Sequence, residues 1–64
     1  MEVIYMFNLF KRTFTVVEYK NGKTYETHLN GTKEEIEKDI QAFKTINEGC
    51  EMKENSKKLV IWVD

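Results

Sequence analysis

Sixty-four residues, of which 41% are hydrophobic and 33% charged, make one small globular domain, well away from the low-hydrophobicity, high-charge balance of disordered chains. Ten basic against eleven acidic residues give a net charge of −1, which leaves no electrostatic footprint for a polyanion. Cys50 is the single cysteine; it cannot form an internal disulfide, and a lone thiol belongs in a reducing compartment, so the expected setting is the cytoplasm.

The chain reads as a single domain over residues 1–64, with an apolar N-terminal tail at 1–12 and a core at 13–64. The tail carries Val3, Ile4, Tyr5, Met6, Phe7, Leu9 and Phe10, about half the length needed to cross a bilayer. Glu2 stands where a secretory signal would have a base, and no small-residue cleavage site follows. The tail is therefore expected to fold back as an extra strand or short helix and cover the outer face of the sheet, or to leave that face free for a partner. Docking on a membrane surface, with Lys11 and Arg12 at the headgroups, is an alternative.

Residues 13–20 are rich in Thr, Val, Phe and Tyr, and residues 23–29 alternate. Asn21-Gly22 between them suits the positive φ angles of a two-residue type I′ turn, which predicts a hairpin. That turn sets the register, so Phe14 faces Leu29, Val16 faces Thr27 and Glu18 faces Tyr25 on the core side. On the reverse side Thr15 meets His28, Val17 meets Glu26 and Tyr19 meets Thr24.

After Asn30-Gly31, the run Thr32-Lys33-Glu34-Glu35 is a capping box that opens a helix. Ile36, Ile40 and Phe43 recur at helical spacing, Ile46 is read as extending the stripe, and Gly49 suits a left-handed stop. Residues 50–54 alternate weakly, 55–58 supply a turn, and 59–63 form the last strand, a second hairpin with Met52 expected opposite Ile61. Leu59-Val60-Ile61-Trp62-Val63 is apolar on both sides, as a strand in the middle of a sheet should be. With one helix to cover one face, Cys50, Met52, Ile61 and Val63 turn toward it, and Val60 and Trp62 turn away. The expected core is Phe14, Val16, Tyr25, Leu29, Ile36, Ile40, Phe43, Met52, Ile61 and Val63.

This order of hairpin, helix and hairpin, with Phe14-Thr15-Val16-Val17, the Asn21-Gly22 turn, a helix from Lys33 and the closing apolar strand, resembles the β-grasp layout of the immunoglobulin-binding domains of protein G and protein L. The resemblance is one of element order and length over residues 13–64, and no antibody-binding residue carries over. It implies an α+β fold: a four-stranded mixed ββαββ sheet in the order 2-1-4-3, with parallel first and last strands in the middle.

Chemistry is sparse. Cys50 and His28 are the only Cys/His pair, and this layout turns them to opposite faces, so no catalytic residue is expected. Glu34, Glu35, Glu37 and Asp39 suit the positive end of a helix, with Lys33 and Lys38 beside them. No metal-ligand set, phosphate loop or nucleotide fingerprint occurs, and no cofactor is expected. What remains is an outer patch of Val17, Tyr19, Val60 and Trp62, of the aromatic kind that meets partners.

The expected function is a small non-enzymatic protein-binding module that masks a surface on another protein or pairs with a second copy as a homodimer. Phages and mobile elements use accessory and inhibitory proteins of this size. The alternatives are a weak single-stranded nucleic-acid binder stacking bases on the same aromatics and a membrane-surface protein docked by the tail.

Overall fold

A computed structural model describes residues 11–64; the tail over residues 1–10, and with it the expected extra strand or cover, lies outside the described residues. The elements are β1 (Arg12–Lys20), β2 (Lys23–Gly31), α1 (Lys33–Ile46), β3 (Glu51–Glu54) and β4 (Lys58–Trp62). They form a four-stranded mixed sheet in the order β2-β1-β4-β3 with one helix across it, the expected α+β layout.

The turn between β1 and β2 has φ of 55° at Asn21 and 74° at Gly22, as a type I′ hairpin requires. It sets the expected register, with Phe14 opposite Leu29, Val16 opposite Thr27 and Glu18 opposite Tyr25. β1 and β4 run parallel, pairing Val16 with Leu59, Val17 with Val60 and Tyr19 with Trp62. Met52 pairs with Ile61 in the closing hairpin. Asn55 makes that turn, its Oδ1 accepting from the amides of Lys57 and Lys58 at 2.8 and 2.9 Å. The amide of Val63 extends the parallel ladder by donating to the Tyr19 carbonyl at 3.0 Å, and the Asp64 carboxylate accepts from the Asn21 amide.

Thr32 caps α1: its Oγ1 accepts from the Glu35 amide at 3.2 Å, and the Glu35 carboxylate accepts from the Thr32 amide at 2.9 Å. The helix lays Ile36 and Ile40 on the sheet, where they close a core with Phe14, Val16, Leu29, Leu59 and Ile61; Phe43, Cys50, Met52 and Val63 pack at its margin. Leu59, which the sequence reading leaves out of the core, is fully buried. It shares the helix side of β4 with Ile61 and lies beside Val16.

One expected core position, Tyr25, and the expected extension of the helical stripe through Ile46 are corrected. Tyr25 is 47% exposed, toward the hairpin end of β2, which among the described residues is an edge strand paired with β1 alone. Ile46 is 80% exposed. At 3.6 residues per turn it rotates away from the line of Ile36, Ile40 and Phe43, and the residue that continues the line is Asn47. Asn47 is buried and takes the place expected of Ile46, with its Nδ2 donating to the Phe43 carbonyl at 3.0 Å and to Glu18 Oε2 at 3.3 Å.

Candidate interaction face

Side chains alternate across a sheet, so β1 and β4 each turn half of their residues away from the helix. The β1–β4 pairing sets Val17 beside Val60 and Tyr19 beside Trp62, which brings all four expected patch residues together on the face turned away from α1. The rings of Tyr19 and Trp62 stack at a centroid distance of 6.0 Å and an interplanar angle of 21°. Val17, at the middle of the face, is buried; Val60 and Trp62 are half-buried, and Tyr19 is 40% exposed. Val17 is thus the floor of the patch, and the two aromatic rings and Val60 are the parts within reach of another molecule.

The residues bordering the patch follow from the same registers. Glu26 lies beside Val17 on β2, and Lys53 lies beside Val60 on β3. Thr24 flanks Tyr19, and Glu51 flanks Trp62. One strand position further along come His28, Thr15 and Lys58. Thr15 Oγ1 and His28 Nδ1 are 3.3 Å apart, and His28 Nε2 lies 3.7 Å from the Glu26 carboxylate, on the exposed β2 edge. The sequence reading misses Lys53 as a neighbour of the patch. The signal was present in the closing hairpin, since Met52 opposite Ile61 already puts Lys53 opposite Val60.

The opposite side of the molecule offers less. A cleft of about 250 Å³ opens between the first half of α1 and the β3–β4 turn, over Phe14, Ile36 and Ile40. Arg12, Lys33 and Glu37 line it, but every polar residue there is exposed, so nothing buried is aimed at a ligand. Cys50 packs against the core while His28 faces outward, on opposite sides of the sheet. Among the described residues no three His, Cys, Asp or Glu side chains gather to hold a metal ion, and no helix is long and apolar enough to cross a membrane. No protein-family model, no curated protein and no solved structure matches the chain.

Proposed function

We propose that this protein is a non-enzymatic protein-binding module that docks through the outer face of its sheet. The observation that carries the reading is the Tyr19–Trp62 stack beside Val60 on the face that the helix leaves uncovered. Tyrosine and tryptophan are enriched among residues that dominate binding energy, because each offers a large rigid surface with few rotamers to freeze. A sheet held from behind by α1 presents those rings with little reorganisation on binding. The resemblance in element order to the β-grasp binding domains supports a scaffold role of this kind. Docking there masks whatever surface the partner contributes.

The border of the patch argues against the nucleic-acid reading. Phosphate contacts need a continuous basic groove beside stacking aromatics, whereas here Glu26 and Glu51 share the border with Lys53 and Lys58.

Affinity capture from the source cell, with the parent chain against Tyr19→Lys and Trp62→Lys, tests the proposal. Tyr25→Lys serves as the control, since Tyr25 is an exposed aromatic on the helix side. A partner retained by the parent and by the control but lost with both face variants is the expected result. A partner retained by all four chains would place docking elsewhere, and steep loss of binding with salt would instead favour nucleic acid.

A further inference from the structure

We infer that the outer face is built to receive a second copy of this chain, stacked sheet to sheet about a two-fold axis that runs along the strands between β1 and β4. This rests on the docking reading above and names its partner. Across the row through the centre of the patch, the four strands present Glu26, Val17, Val60 and Lys53 in that order. The row is acidic at one end, basic at the other and apolar between. The neighbouring row presents Thr24, Tyr19, Trp62 and Glu51.

A two-fold axis along the strands lays β2 of one copy over β3 of the other and β1 over β4. Glu26 of each copy then faces Lys53 of its mate, so the dimer contains the same acid–base contact twice, as an isologous interface must. Val17 lies over Val60 and Tyr19 over Trp62, which buries the apolar strip against itself. Thr24 faces Glu51, so this row places no two like charges opposite each other.

The alternative face-to-face two-fold, across the strands and centred on the same row, lays each strand on its own copy. It would set Glu26 against Glu26 and Lys53 against Lys53, and like charges in contact select against it. Of the two arrangements centred on this row, the charge pattern therefore favours the axis along the strands. An across-strand axis between the two rows would set Lys53 over Glu51 and leave Glu26 over Thr24, so a loss of association in Glu26→Lys is what separates it from the arrangement inferred here. Stacked sheets lie about 10 Å apart with strands inclined by about 30°. That inclination moves the edge residues of a four-stranded sheet by only about 4 Å given the ordinary strand spacing, within the reach of a lysine or glutamate side chain. The contact covers one face of a small sheet, so the dimer is a concentration-dependent one rather than an obligate one.

Sedimentation equilibrium of the full chain across a wide concentration range, with charge-swapped variants, tests the assignment. The parent should dimerise, and Glu26→Lys alone or Lys53→Glu alone should weaken the dimer roughly thirtyfold, since each turns two attractions into two repulsions. An equimolar mixture of the two single variants should recover association, because every Glu–Lys contact is again between opposite charges. Glu48→Lys, an exposed change off the face, introduced into the same chain as Lys53→Glu restores the net charge without restoring the contacts and should fail to rescue the dimer, which removes bulk charge attraction as the explanation.

A parent chain that stays monomeric throughout overturns the second-copy assignment, as does a mixture that fails to recover. In either case the capture experiment with Tyr19→Lys and Trp62→Lys still decides whether the face docks another protein. A dimer indifferent to both charge variants and to Trp62→Lys uses another surface and overturns the assignment as well.

Discussion

Tyr19 and Trp62 stack across the parallel seam between the first and last strands, 6.0 Å between ring centroids. The two residues are distant in sequence, so their contact reports that β1 and β4 have paired. Offset aromatic pairs contribute about 0.5–1.5 kcal/mol beyond the area they bury. Tyr19→Ala is therefore expected to cost about 1 kcal/mol, to reduce the near-ultraviolet circular dichroism and to shift the Trp62 emission to the red. Because Trp62 is the only tryptophan, the emission needs no deconvolution. Spectra unchanged by Tyr19→Ala would show that the stack does not persist in solution.

Asn47 ties the end of α1 to the centre of the sheet. Its amide donates to Glu18 Oε2 at 3.3 Å and to the Phe43 carbonyl at 3.0 Å from a buried position. Truncation strands a half-buried carboxylate without this donor, and Asn47→Ala should destabilise by about 1–2 kcal/mol in urea unfolding. Asn47→Asp should cost more at pH 7, since it replaces a donor by a second carboxylate beside Glu18. Equal unfolding midpoints for Asp and Ala at neutral pH would mean that the Glu18 contact carries no weight.

Gly31 and Glu35 are coupled through the helix cap. Gly31 has φ of 151°, and a Cβ there would lie 2.5 Å from Glu35 Oε1, the oxygen that accepts from the Thr32 amide. Gly31→Ala must displace that carboxylate while adding backbone strain, with an expected loss of about 1–2 kcal/mol. Hydrogen bonds from the Thr32 backbone and then its side chain hold the Glu35 carboxyl below the ordinary glutamate range, with Lys11 and Lys38 adding to the effect. Folding therefore favours the ionised form. The resulting stability is complete above the unfolded-state value of about 4.3 and is lost as pH falls through the lowered folded-state value. An NMR titration of Glu35 should show its pKa returning toward the ordinary value in Gly31→Ala, and Glu35→Gln should flatten this part of the acid profile.

Most of the fold is legible in the sequence because its signals are local and agree with one another. Asn-Gly sets the first hairpin and its register, Thr32 and Glu35 open the helix, and a strand apolar on both sides belongs in the middle of a sheet. The patch follows from those same facts, since strand parity puts Val17, Tyr19, Val60 and Trp62 on one face. Misreadings arise where residue type is weighed over geometry. Ile46 is apolar but off the helical line that polar Asn47 continues, and Tyr25 is aromatic but toward the end of an edge strand. The Asn47–Glu18 hydrogen bond joins residues far apart in sequence, and no local pattern announces it.

Leu59 and Ile46 separate burial from hydrophobicity within one chain. Leu59 is fully buried beside Val16 on a central strand, and Ile46 is 80% exposed at the end of the helix. Removing a buried leucine side chain costs about 2–5 kcal/mol, from lost transfer energy and the cavity left behind. A domain of this length has only about 3–5 kcal/mol to lose. Leu59→Ala should thus lose most of its stability, with an unfolding midpoint far below the parent's in urea by circular dichroism and by tryptophan emission. Ile46→Ala removes a similar apolar volume from water-exposed surface and installs a better helix former, so its unfolding midpoint should match or exceed that of the parent. The paired result distinguishes a core organised around β4 from one in which the helical stripe runs on through Ile46: the second arrangement predicts that both variants lose stability together.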